Sequence, residues 1–101
     1  LAMLLVQDVF QVKWGRGDEM VAALREMQSL LDEVGFGQNG RVLTDASGPF
    51  FTVISEYQVP SFSAWEQDFE KLMGEPRLGE FMSRTAELVE SGERRFWNVV
   101  E

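Results

Sequence analysis

Over residues 3–14 apolar side chains alternate along the chain. Leu4, Val6, Phe10, Val12 and Trp14 share one parity with Asp8, while Met3, Leu5 and Val9 share the other with Gln7, Gln11 and Lys13. A period of two predicts a first strand, with Asp8 on its more apolar face. After Gly15-Arg16-Gly17 the period changes. Met20, Ala23, Leu24, Met27, Leu30, Leu31 and Val34 recur at three- and four-residue steps, with Arg25, Glu26, Gln28, Asp32 and Glu33 on the outside. That spacing predicts an amphipathic helix of about five turns. Asp18 and Glu19 suit its start, where free amides and the helix dipole favour negative charge, and Gly35 suits its end. Residues 37–40 read as a loop, and Arg41 begins a short second strand ending at Thr44.

The densest run of β-branched and aromatic residues follows, from Phe50 to Val59 behind the turn signal at 45–49. One parity holds Phe51, Val53, Ser55, Tyr57 and Val59; the other holds Phe50, Thr52, Ile54, Glu56 and Gln58. Neither is purely polar, so this run predicts a central strand covered on both faces. It forms a hairpin with the second strand. Past Pro60 a helical stripe of Phe62, Trp65, Phe69, Leu72 and Met73 begins, capped by Ser61 or, through the capping-box pattern Ser63-Ala64-Trp65-Glu66, by Ser63. Gly74-Glu75-Pro76 interrupts the stripe, because proline disfavours helical geometry at the residue before it. Leu78, Phe81, Met82, Thr85, Leu88 and Val89 then carry the stripe to Gly92, and Glu93 to Val100 reads as a last strand.

The predicted order is β-α-β-β-α-β, two halves of a split βαβ unit. Right-handed crossovers place both helices on one face of a four-stranded antiparallel sheet, giving an α+β, ferredoxin-like fold with the first and third strands central. Leu5, Val9, Phe50 and Ile54 then lie on the face away from the helices. Pairing two such faces across a twofold axis would cover them, so a homodimeric α/β barrel is expected.

At 101 residues the chain supports a single domain, 1–101. Seventeen acidic against nine basic residues leave a net charge of −8, which argues against a nucleic-acid partner and against docking on an anionic membrane. No apolar run approaches the ~20 residues that span a bilayer. The opening Leu1-Ala2-Met3-Leu4-Leu5-Val6 has neither a basic start nor a small-residue cleavage site, and reads as strand rather than signal peptide. Without cysteine there is no disulfide or thiolate chemistry, which fits a cytoplasmic setting. The absence of histidine removes the commonest metal ligand and general base. No metal, haem or other cofactor is expected.

Three segments carry a resemblance. Val12-Lys13-Trp14-Gly15-Arg16-Gly17-Asp18-Glu19 resembles the strand-to-helix "VKPGxxDE" turn of the dimeric alpha-beta barrel superfamily, with Trp14 standing where proline is usual. Ser61-Phe62-Ser63-Ala64-Trp65-Glu66 resembles its "SLxAWE" opening of the second helix, and Phe96-Trp97-Asn98-Val99 resembles its last strand. The NIPSNAP-like branch is the most similar, and the resemblance covers nearly the whole chain. It implies the scaffold rather than a reaction, since the superfamily spans monooxygenases, isomerases, chlorite dismutases and ligand sensors. In its small monooxygenases an Asn, a Trp and a His surround the substrate. By that resemblance Asp8 falls at the Asn position, Tyr57 near the Trp position, and the stretch from Trp65 to Gln67 at the His position. None keeps its identity, which argues against haem handling by this route.

Asp8 is the foremost candidate for chemistry. On a central strand among Val6, Phe10 and Val12, a carboxylate either is poised as a base by desolvation or is paired with an arginine or backbone amide. Tyr57 presents a hydroxyl either to a cavity or to ordinary core packing. Trp65 and Phe69 either wall a flat ligand or pack the core. Asp8, Tyr57, Trp65 and Phe69 are therefore the candidate ligand-binding residues. Glu56, Gln7 and Gln11 are expected on the opposite sheet face. Two functions of different class follow: a homodimeric protein binding a small molecule between helices and sheet, or a cofactor-independent monooxygenase, isomerase or cyclase using Asp8 and Tyr57. Losing the family's histidine favours the first.

Overall fold

The alternation of the first strand and the helical stripes behind it resolve into seven elements in a computed structural model, which describes residues 3–100. The expectations touching Leu1, Ala2 and Glu101 lie outside the described residues. The order is β1 (Leu4–Val12), α1 (Gly17–Val34), β2 (Gln38–Thr44), β3 (Thr52–Val59), α2 (Phe62–Met73), α3 (Pro76–Ala86) and β4 (Val89–Asn98). The strands form one antiparallel sheet in the order β2-β3-β1-β4, the arrangement of a ferredoxin-like α+β fold. The central position of β1 and β3 agrees with their two-sided apolar content.

The helices cover the face that carries Leu4, Val6, Val12, Val53, Tyr57 and Val59, all buried. Two clusters fill this layer. One gathers Leu4, Val6, Leu31, Phe36, Tyr57, Val59, Leu72 and Leu78, and the other gathers Val12, Met20, Leu24, Val53 and Leu88. The α1 stripe supplies Leu31 to the first and Met20 and Leu24 to the second, and buries Ala23 and Leu30 as well, as its three- and four-residue spacing requires. No helix among the described residues is long and apolar enough to cross a membrane.

Several boundaries differ from the sequence reading. β3 begins at Thr52, because Thr52 donates its N–H to Asp45 Oδ1 (3.1 Å) and accepts from the Asp45 N–H (3.1 Å), closing the hairpin at that rung. Phe50 and Phe51 therefore belong to the turn, and Phe51 takes a left-handed conformation (φ 57°). Its ring lies where a Cβ on Gly17 would approach to 3.2 Å, so a larger residue there would press the ring aside by a few tenths of an ångström. Phe50 is thus not part of the outer sheet face; it is 66% exposed and meets Trp14 edge-on. Trp14 itself lies beyond the end of β1, in the turn before α1.

The second stripe does not run as helix to Gly92. α3 stops at Ala86, and the chain turns so that Leu88 accepts from the Lys13 N–H (2.8 Å) and Val89 pairs with Val12. Leu88 is buried as expected, but from a turn. At β2 the pairing starts earlier, at Gln38, with an irregularity before Arg41 and Asn39 at φ 53°. Of the two capping options Ser61 is the cap, its Oγ accepting from the Ala64 N–H (3.1 Å).

Candidate functional site

Local signals on four elements converge on one end of the helix-covered layer. At the end of α1, Gly35 (φ 76°) closes a Schellman turn: its N–H donates to the Asp32 carbonyl and that of Phe36 to the Leu31 carbonyl. The turn folds Phe36 back beside Leu31 and edge-on to Tyr57, with ring centroids 5.3 Å apart. Gly37 follows at φ 71°, and a Cβ there would meet the Tyr57 ring at 3.0 Å. Glycine is favoured twice at this position, for conformation and for the close approach.

The Ser61 cap sets the rotation of α2, so that Trp65 and Phe69, one turn apart, stack at 4.8 Å with an interplanar angle of 16°. Trp65 Nε1 donates to the Tyr57 hydroxyl (3.0 Å). Burial, with the nearby Asp8 charge adding to it, pushes the Tyr57 phenol up to about 12. It stays protonated at neutral pH and is a hydrogen-bond donor rather than a base.

Asp8 pairs across the sheet with Ser55 on β3 and Arg94 on β4. Arg94 Nε donates to Asp8 Oδ1 at 2.5 Å, and a second guanidinium nitrogen stands 3.5 Å from Oδ2. The guanidinium lies 4.9 Å from the Trp65 ring centre and 5.2 Å from that of Phe69, within cation–π range. Burial alone would lower the Arg94 pKa, but the hydrogen bond and charge of Asp8 outweigh it and raise it. Of the two readings of Asp8, the arginine-paired one describes its contacts.

Between this polar group and the helices lies a cavity of about 210 Å³. Asp8, Ser55, Tyr57 and Arg94 line its sheet side. Its helix side is largely apolar, with Met27 and Leu31 from α1, Phe69 and Leu72 from α2, and Phe81 and Met82 from α3; the exception, Thr85, turns its hydroxyl back to the Phe81 carbonyl (3.1 Å). Three of the four sequence candidates, Asp8, Tyr57 and Phe69, thus line one space; Trp65 stands behind Tyr57 as its hydrogen-bond donor. Arg94, Phe36, Met27 and Phe81 were not among the candidates. Arg94 had a signal, because Asp8 on an apolar strand face calls for a cation and Arg94 shares a parity with Phe96 on β4.

The opposite face of the sheet carries a second polar feature. Trp97 Nε1 donates to Gln7 (3.0 Å), Gln7 Nε2 donates to Glu56 (2.8 Å), and Arg41 pairs with the same carboxylate, so one chain of bonds crosses all four strands. Glu56 is buried beneath these side chains, not in the core. Burial would raise its pKa, yet the hydrogen bonds from Gln7 and Arg41 outweigh that and hold it below the usual carboxylate range. Gln11 lies on this face too, donating to the Phe50 carbonyl (2.6 Å). Among the described residues no group of three or more His, Cys, Asp or Glu could hold a metal ion.

Neither a family model nor a curated protein sequence matches the chain. Solved structures do. A NIPSNAP family protein from Agrobacterium tumefaciens superposes with a TM-score of 0.84 at 22% identity, over 98% of this chain and 87% of that one. A second from the same organism, described as of unknown function, gives 0.85 at 15% identity over 97% and 88%. A putative antibiotic biosynthesis monooxygenase from Chloroflexus aurantiacus gives 0.72 at 15% identity over 98% and 94%. The NIPSNAP and monooxygenase structures share the ferredoxin-like fold of this chain over nearly its whole length. At these identities the likeness establishes fold and leaves chemistry to the site.

Proposed function

We propose that this chain is a NIPSNAP-like protein that binds a small molecule between sheet and helices and forms a homodimer through the opposite sheet face. The observation that carries the binding reading is the cavity of about 210 Å³, largely apolar toward the helices with all but one of its polar side chains, Thr85, gathered on the strands. Small-molecule sites combine an apolar wall with a few convergent polar groups in this way. Two contacts favour binding over proton abstraction. Asp8 is engaged by Arg94, and Tyr57, held protonated, is no base at neutral pH. The enzyme reading through Asp8 and Tyr57 would need both to be released.

The homodimer reading rests on the outer sheet face, where Leu5, Val9 and Ile54 are only partly covered and Trp97 is 48% exposed. A second copy laid on this face would remove them from water and enclose the Arg41–Glu56–Gln7–Trp97 chain. The lack of cysteine suits the cytoplasm as its setting.

Toluene tests the binding reading, being small enough for the cavity and free of polar groups. In amide and methyl NMR spectra of the intact protein, millimolar toluene is expected to shift resonances of Met27, Leu72, Phe81 and Met82. No shifts at those residues would refute the reading.

A further inference from the structure

The cavity's polar side is charged in its parts and neutral in sum. Asp8 carries one negative charge and Arg94 one positive, and their side chains touch at 2.5 Å. A ligand bringing a net charge would face a like charge on one of them, or would have to break the pair at a desolvation cost. The pair therefore selects against charged heads.

The hydrogen-bonding capacity that remains is specific. The Tyr57 oxygen already accepts from Trp65 Nε1, and among the described residues its own proton has no acceptor. A buried hydroxyl proton is free to be donated into the cavity. The Asp8 carboxylate has acceptor sites beyond those Arg94 occupies, since two carboxylate oxygens offer about four lone-pair directions. Asp8 pairs with Ser55, and Tyr57 lies two residues further on the same face of β3. That diagonal relation places the two groups ~7–8 Å apart at the backbone, with a phenol long enough to close the gap. The sheet thus presents the Tyr57 donor beside the anionic Asp8 acceptor, with the Ser55 hydroxyl and the remaining N–H groups of Arg94 on the same side.

Size narrows the rest. A cavity near 150 Å³ holds benzene, so about 210 Å³ takes one ring with a head of a few atoms. Phe69, Phe81, Met27 and Met82 provide flat and polarizable walls for it.

We infer that this cavity selects an uncharged, one-ring molecule whose head carries a hydrogen-bond acceptor beside a donor, as in a primary carboxamide or an enol. The acceptor takes the Tyr57 hydroxyl proton, and the donor meets the Asp8 carboxylate. This rests on the cavity being a binding site at all. The protonated state of Tyr57, pushed up to about 12, keeps that donor constant over the physiological range.

The experiment compares four probes on the intact protein by NMR titration: toluene, benzamide, benzoate and benzylamine. Benzamide is expected to bind about tenfold more tightly than either charged analogue. Replacing Tyr57 by Phe is expected to weaken benzamide about fivefold and leave toluene unchanged, toluene serving as the control that the cavity persists. If toluene fails to bind wild-type protein, both the binding reading and this one fall. If toluene binds while benzoate or benzylamine matches or exceeds benzamide, only the ligand class is overturned. That wild-type comparison decides the matter even if the Tyr57→Phe protein does not fold.

Discussion

Replacing Asp8 by Asn tests whether the Asp8–Arg94 pair is structural. The substitution keeps the shape of the side chain and one acceptor oxygen but removes the charge. Asp8 is 16% exposed at its side chain and Arg94 37%, so the pair is partly screened and well short of a fully buried one. A charge-assisted hydrogen bond is worth about 1.5–3 kcal/mol and a neutral one about 0.5–1.5, so the direct loss is about 1 kcal/mol. Arg94 is also left stacked on Trp65 and Phe69 without its counter-charge, which brings the expected cost to about 1–2 kcal/mol. For a chain of this length that corresponds to a fall of about 5–12 °C in melting temperature. In urea the midpoint should fall by about 1 M with an unchanged slope, since the exposed surface is the same. The double replacement Asp8→Leu with Arg94→Met should recover much of the loss, because it leaves no unpaired charge. A clearly stabilised Asp8→Asn protein would refute this account. It would mean that the carboxylate is a strained group relieved by neutralisation, as at a reactive centre, and the enzyme reading would gain.

Other outcomes are expected from the same contacts. Tyr57 is the sole tyrosine, so ultraviolet absorbance should show one phenol titrating at about 12, in place of 10. Because its folded value is raised, its stabilising contribution is complete below about 10 and is lost as pH climbs from there to about 12; a midpoint near 10 would contradict the burial argument. Gly37→Ala should destabilise by about 1–3 kcal/mol in chemical denaturation, through left-handed strain and contact with the Tyr57 ring, and a neutral result would show that the loop relaxes freely. Ile54→Asp on the outer sheet face should convert a dimer to monomer or aggregate by light scattering, and wild-type protein that is already monomeric at micromolar concentration would rule out the sheet-face dimer. Glu56 has a lowered folded pKa, so its contribution should persist above about 4.5 and disappear as pH falls through the lower folded value, which acid unfolding of Glu56→Gln against wild type would reveal.

Much of this molecule is readable from short-range pattern. The period-two run of β1 and the three- and four-residue stripe of α1 define their elements because each buries one face and each secondary structure repeats its faces at a fixed interval. Gly35, Ser61 and Pro76 mark helix ends through backbone chemistry that needs no knowledge of the fold. The parity of β1 put Asp8 on the helix-facing side, and that of β3 put Tyr57 there, so both site candidates were legible on one face. Boundaries set by pairing were not. Whether Phe50 and Phe51 extend β3, and whether Leu88 and Val89 extend a helix, depends on which backbone groups Asp45, Val12 and Lys13 offer them. An apolar side chain satisfies its burial equally well from strand, turn or helix. Tertiary structure alone brought Arg94 to Asp8 across 86 residues of chain and set Trp65 beneath its guanidinium. The cavity belongs to the same class of fact. Its walls come from β1, α1, β3, α2, α3 and β4, and the space among them is set by how side-chain volumes from separate elements meet, which no local pattern encodes.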